Sequence, residues 1–135
     1  VAGQVQFAGA LDRDQVVEAM AAADAFVLAS HHETFGVVVI EALAMGKPVV
    51  ATRCGGPEAI VRAQDGLLVP VADIDALAAA MQEIRADARR YRAEVIRAGC
   101  AARYSEPVVT ARLTGIYEQV LQPRAGQAPT HLQAG

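Results

Sequence analysis

Apolar residues fall along this chain in short runs, separated by longer stretches with helical spacing. Val5 to Ala8 is a compact apolar run closed by Gly9 and predicts a strand. From Asp12 to Ala22 the spacing of Val16, Val17 and Met20 predicts a helix, with Asp12 as its cap. Ala25 to Ala29 is apolar at successive positions, as expected of a strand buried on both faces of a parallel sheet. A helix is predicted from about Gly36 to Met45. Val38, Glu41 and Ala42 are read on one broad face, with Val39 and Leu43 extending another. So few polar residues predict a central helix, ended by Gly46. Pro48 leads into a strand from Val49 to Thr52, where a proline is tolerated at the start.

The second half repeats the alternation. Arg53 to Pro57 reads as a tight loop, and Glu58 to Val61 as a short helix. Asp65-Gly66 is a turn signal before a fourth strand, Leu67 to Val69. Leu77, Ala80, Met81 and Ile84 predict a helix from Asp73 to Ile84. A further helix is expected from Ala88 to Ala102. A last one, Val108 to Leu121, carries an apolar side of Leu113, Ile116, Tyr117 and Val120. Beyond Pro123 the chain is polar and broken by glycine and proline, which predicts a frayed tail at 123–135. Strands alternating with helices predict an α/β fold: a Rossmann-like parallel sheet flanked by helices, in one domain over residues 1–122. Such a small sheet leaves an edge open.

Composition narrows the chemistry. The net charge of −3 speaks against a general nucleic-acid binder. Arginines 89, 90, 92 and 97 read as a solvated helix face. Cys54 and Cys100 are too few for a disulfide scaffold and lack metal spacing, which fits a reducing compartment and a cytoplasmic setting. No run is long enough to span a membrane, and no signal-peptide pattern occurs. The chain begins with Val1, which suggests a fragment or processed product.

The densest chemistry lies in SHHETFGVVVIEALAMG, from Ser30 to Gly46. Ligands of α/β sheets sit beyond the carboxyl ends of the strands, and this segment follows the second strand. Thr34, Phe35, Gly36 and Val37 straddle a helix start whose unpaired amides and dipole suit a phosphate. Gly36 permits close backbone approach, and Thr34 offers a hydroxyl. Phe35 is read as a hinge packed into the core. Glu33 before the helix is either a loop carboxylate or an acceptor for sugar hydroxyls. Glu41, in an otherwise apolar helix, is either a buried structural acceptor or a bidentate acceptor for ribose hydroxyls. With a phosphate site between them, the two glutamates fit separate contacts better than one hydrolytic pair. His31 and His32 are adjacent and lack a third ligand, so no metal site is expected. Gly55-Gly56 is either a plain turn or a loop that shapes the pocket beside Glu58, and Arg53 is a weak candidate for phosphate.

These residues resemble the C-terminal, donor-binding domain of a retaining glycosyltransferase of family 4, with GT-B architecture. The resemblance rests on Glu33 and Glu41 separated by seven residues, on EALAMGKPVVAT, on Gly55-Gly56 with Glu58, and on DGLLVP from Asp65 to Pro70. It extends from about Val5 to Leu121 and implies a metal-independent enzyme without a cofactor, using a nucleoside-diphosphate sugar (a UDP-, GDP- or ADP-sugar). It also implies that Glu33 contacts the transferred sugar, that amides near Phe35, Gly36 and Val37 meet sugar or diphosphate, and that Glu41 binds ribose. It further implies that two upstream strands carrying basic residues, and an N-terminal acceptor domain, are missing from this chain. The 135 residues alone are then expected to be nearly inactive, to pair through an open sheet edge, and to reach the inner membrane surface only through the missing domain. Two other readings stay open: a non-catalytic nucleotide-binding or assembly module, and a sugar-nucleotide epimerase or phosphorylase of related architecture.

Overall fold

The computed structural model describes residues 2–121. Three parallel strands form the sheet: β1 (Phe26–Leu28), β2 (Val49–Thr52) and β3 (Gly66–Val69), in spatial order β1-β2-β3. Phe26 lies opposite Val49, and Val50 opposite Leu67. Six helices accompany them: α1 (Arg13–Ala22), α2 (Val37–Ala44), α3 (Gly56–Ile60), α4 (Ile74–Ala86), α5 (Ala93–Tyr104) and α6 (Glu106–Leu121). This is the Rossmann-like α/β architecture expected from the alternation, with one strand fewer.

The strand predicted at 5–8 does not form. Those residues find no ladder partner among the described residues, and the Phe7 side chain is 93% exposed. An apolar run without a neighbouring strand has nowhere to place its backbone hydrogen bonds except water. The predicted tail at 123–135 lies outside the described residues.

Local signals set two of the helix starts. Asp12 accepts from the Gln15 amide at 2.9 Å, while Gln15 Oε1 accepts from the Asp12 amide at 3.0 Å, a reciprocal capping box. Asp73 caps α4 by accepting from the Ala76 amide at 2.8 Å. The helix predicted over 88–102 is interrupted instead. A 3₁₀ turn at Ala88–Arg90 precedes α5, and Tyr91 folds inward to become buried. The backbone leaves the helical region at Tyr91 and is extended at Arg92, which ends one helix before the next begins.

The core lies between β2 and its covering helices. Every β2 residue is buried, so alternate side chains are covered on both faces. Val39, Ala42 and Leu43 of α2 pack there with Val49, Val50, Ile60 and Ile96. α4 packs on β2 and β3, α5 on α2, and α6 on α5. The spacing 39, 42, 43 defines the inward stripe of α2, and Glu41 falls roughly 200° around the helix from Val39. Glu41 is accordingly exposed, which corrects its expected position in an apolar setting. The α6 stripe is helical as predicted but uncovered among the described residues, with Tyr117 66% exposed.

Candidate donor site

The site is built where two loops leave the carboxyl ends of β1 and β2. Parallel pairing continues past the strands: the Glu33 amide donates to the Cys54 carbonyl at 2.9 Å, and the Gly56 amide to the Glu33 carbonyl at 2.8 Å. Side-chain space at this crossing is absent. A Cβ on Gly55, which sits at φ +114°, would lie 2.6 Å from the Glu33 carbonyl oxygen, and one on Gly56 would overlap the Phe35 carbonyl. The glycine pair therefore serves neither as a plain turn nor as open backbone. It lets the second loop dock on the first and hold Glu33. Glu58 reinforces the docked loop by accepting from the Gly55 amide at 3.2 Å.

Thr52 is a site residue that sequence reasoning passed over. Its buried hydroxyl donates to the Ser30 carbonyl at 2.5 Å and pins the start of the Glu33 loop to the end of β2. The available signal was a hydroxyl ending the otherwise apolar strand VVAT.

The start of α2 follows at once. Gly36 caps it in the left-handed region (φ +90°), where no side chain supplies a cap. Among the described residues no acceptor meets the Gly36, Val37 or Val38 amides. These donors, with the positive end of the helix field, form an anion-accepting surface. Glu33 is half-buried beside this surface, and its Cγ would lie 3.5 Å from a Cβ on Gly36. Neither the Glu33 nor the Glu41 carboxylate has a hydrogen-bond or ion-pair partner among the described residues. The first lies before the helix start. The second lies on α2 about 6 Å further along the axis, counted from Val37.

Other expected residues fall differently. Phe35 is 52% exposed, so it is not the core hinge that its apolar ring suggests; buried Gly36 and Ile60 occupy that position instead. Thr34 and Val37 are also exposed at the crevice. His31 and His32 are exposed, and His31 lines a small cavity of about 140 Å³ with Thr52 and Asp73. The Arg53 amide donates to the Val69 carbonyl at 2.8 Å, extending the β2–β3 ladder while its side chain stays exposed. Arginines 89, 90, 92 and 97 are all exposed, and Arg97 also donates to the Met45 carbonyl at 3.2 Å near the end of α2. Cys54 and Cys100 are free and buried. No group of three His, Cys, Asp or Glu among the described residues is placed to hold a metal.

The crevice is an open rim rather than a closed pocket. A larger cavity of about 520 Å³ lies at the opposite ends of the strands and touches neither glutamate. The unpaired amides and carboxylates, not the cavity volume, mark the candidate site.

The family profile described as glycosyl transferases group 1 matches residues 1–100. This chain belongs to that family. The parallel sheet and its helices match part of a GT-B domain. A GDP-mannose-dependent alpha-mannosyltransferase of Mycobacterium tuberculosis is 40% identical over 90% of this chain and 32% of its own length. Among solved structures, a sucrose-phosphate synthase from Thermosynechococcus elongatus superposes with a TM-score of 0.76. It is 34% identical, with 87% of this chain and 30% of that one covered. Anabaena HepE in complex with UDP gives a TM-score of 0.72 at 26% identity, covering 79% of this chain and 30% of that one. The chain thus spans about a third or less of the length of these relatives.

Proposed function

We propose that this chain is the donor-binding part of a retaining glycosyltransferase that uses a nucleoside-diphosphate sugar. One observation carries the proposal: three unpaired amides at the start of α2 lie between two carboxylates that have no protein partner. A diphosphate suits the amides, and hydroxyl-rich groups suit the carboxylates. Glu33, held by the docked glycine loop, accepts hydroxyls of the transferred sugar. Glu41 accepts the two ribose hydroxyls. Thr34, Phe35 and Val37 contribute backbone and surface to the crevice, while Gly55 and Gly56 position Glu33.

In the proposed reaction the bond between the anomeric carbon and the diphosphate oxygen breaks. An acceptor hydroxyl attacks from the same face, forms the new bond to the anomeric carbon and passes its proton to the departing diphosphate oxygen. The α2 amides stabilise the negative charge that grows on the leaving diphosphate, where preorganised donors are worth most. The relatives are described with GDP-mannose in one case and UDP in another.

The proposal extends to the setting. A second domain, of the length present in the relatives but not here, supplies the acceptor side, and the 135 residues alone turn over slowly or not at all. The open β1 edge pairs with a further strand, from the same protein or a second copy. The reaction is placed in the cytoplasm, supported by two free cysteines that fit a reducing compartment. Among the described residues no helix is long and apolar enough to cross a membrane, and contact with a membrane surface is assigned to the second domain.

Calorimetry with UDP, GDP, ADP and their glucose and mannose conjugates tests the assignment. Glu41→Ala is expected to weaken the preferred bare nucleotide by about tenfold or more, the usual value of hydrogen bonds to a charged acceptor. Glu33→Ala should weaken the nucleotide sugar while leaving the bare nucleotide within about twofold. Unchanged nucleotide affinity in folded Glu41→Ala overturns the ribose role. Equal losses for both ligands in Glu33→Ala overturn the sugar role.

A further inference from the structure

α3 has five residues, too few to hold a helix in place by its own hydrogen bonds. Its position is set by what grips its two ends. At the amino end the Gly56 amide donates to the Glu33 carbonyl at 2.8 Å, so α3 begins on the loop that carries Glu33. At the carboxyl end Ile60 is 1% exposed, and its Cδ1 would lie 3.6 Å from a Cβ on Gly36, the cap of α2. One short helix therefore backs both halves of the candidate site, the Glu33 loop and the amides of the α2 start.

The grip on the carboxyl end comes from α5. Arg103 Nη1 donates to the Ile60 carbonyl at 2.7 Å, Nη2 to Asp65 Oδ2 at 3.0 Å, and Nε to the Gly99 carbonyl at 2.9 Å. The three acceptors lie on three segments, and a rigid planar fork of donors meets them together where a single ammonium would not. Asp65 Oδ2 also accepts from the Arg62 amide at 3.1 Å, so the same carboxylate holds the turn that leaves α3. The Arg103 guanidinium carbon sits 4.9 Å from the centre of the Tyr104 ring, a further restraint on the fork. Among the described residues Arg103 makes no hydrogen bond to the crevice, so any effect on it passes through α3.

We propose that Arg103 is a positioning residue for donor binding. By holding the Ile60 carbonyl it seats α3, and α3 in turn sets where Glu33 and the α2 amides stand. The inference rests on the donor-binding reading of the crevice. A purely structural ion pair stabilises the fold and leaves the rim as it is. A positioning residue leaves a mark on the rim even after stability has been restored, because a rim is held only as firmly as the residues beneath it.

The test uses the full chain carrying Asp65→Leu with Arg103→Met, which replaces the ion pair by apolar side chains and gives the Ile60 carbonyl no donor. Amide hydrogen exchange without ligand is read first. The Glu33 and Gly56 amides, which tie the two loops, should exchange about tenfold faster, while the amides of α4 keep their protection. Calorimetry with UDP, GDP, ADP and their sugar conjugates follows. The preferred nucleotide sugar should bind about tenfold more weakly and its bare nucleotide about threefold more weakly. Arg103→Lys, which keeps a cation beside Asp65 but not the fork, is the second variant, and its Gly56 amide should exchange about threefold faster. Unchanged exchange at Glu33 and Gly56 in both variants overturns the proposal. So does acceleration that extends equally over α4, which would make Arg103 a support of the whole fold alone, and so do affinities within about twofold of the unaltered chain. An unaltered chain that binds none of these ligands overturns the donor reading itself, whereas the exchange result still decides whether Arg103 supports the rim.

Discussion

Two corners of the sheet are tied together by opposite means. At the carboxyl ends of β1 and β2, backbone hydrogen bonds join Glu33 to Cys54 and Gly56, and the side chains of Glu33, Thr34 and Phe35 remain available. At the start of β3, side chains do the joining. Asp65, 0% exposed, meets the Arg103 guanidinium at 3.0 Å, and Arg103 also donates to the Ile60 carbonyl at 2.7 Å and the Gly99 carbonyl at 2.9 Å. The first corner holds its shape without consuming the groups that meet a ligand. The second spends its charged groups on fixing α5 to α3 and β3. A binding rim is therefore sensitive to added atoms, and a structural anchor to removed ones.

The largest test of this contrast is Arg103→Ala. It leaves the Asp65 carboxylate buried without its cation, and a loss of about 3–5 kcal/mol in urea unfolding is expected. The double variant Asp65→Leu with Arg103→Met should recover most of that loss, because a buried pair replaced by apolar groups of similar volume is often neutral or better. A loss for Arg103→Ala within about 0.5 kcal/mol, as for an ordinary surface site, would erase the distinction between the corners.

Gly56→Ala comes next. Its Cβ overlaps the Phe35 carbonyl, so the docked loops must part, with an expected cost of about 1–3 kcal/mol. Affinity for a nucleotide sugar should fall more than affinity for the bare nucleotide, because Glu33 loses its support. Thr34→Ala at the exposed side of the same loop should stay within about 0.5 kcal/mol. Comparable losses for the two variants would show that side chains, not backbone docking, hold the rim.

The smallest effect is alkaline. Burial pushes the Cys100 thiol above its ordinary 9.0, with Arg103 opposing and Asp65 adding to the shift. The Tyr91 phenol is raised by burial as well. Each group keeps its proton in the folded state after the unfolded chain has lost it, so the unfolded state binds fewer protons and stability falls with rising pH. Stability should be flat from neutral pH to about pH 9 and decline above it. Cys100→Ala should remove the earlier part of that decline. A decline that begins below pH 8, or is unaltered in Cys100→Ala, would locate its source elsewhere.

Much of this arrangement was legible along the chain. Asp12 and Asp73 announced their helices because a cap is a contact between neighbours in sequence, and α2 and β2 announced themselves by apolar density. The candidate chemistry was legible too, in the Glu33 to Glu41 spacing around Gly36. The apolar run at 5–8 misled, because the same run can be a strand or solvated chain depending on a partner outside itself. Phe35 misled because apolar character does not say which of two adjacent residues turns inward; Gly36 does. Asp65 read as a turn residue, and only Arg103 from a distant helix shows it to be a buried ion.

The sequence by itself determined the alternation of strands and helices, the glycine-led start of α2 and the order of carboxylate, amides and carboxylate along it. Those features depend on period and on neighbours a turn apart. Tertiary structure alone decided that Gly55 and Gly56 dock against Glu33 and Phe35, that Thr52 pins the loop at Ser30, and that Asp65 meets Arg103. Each of these needs β1, β2 and β3 to lie side by side in one register. That adjacency comes from packing the whole core, which no local stretch of the chain encodes.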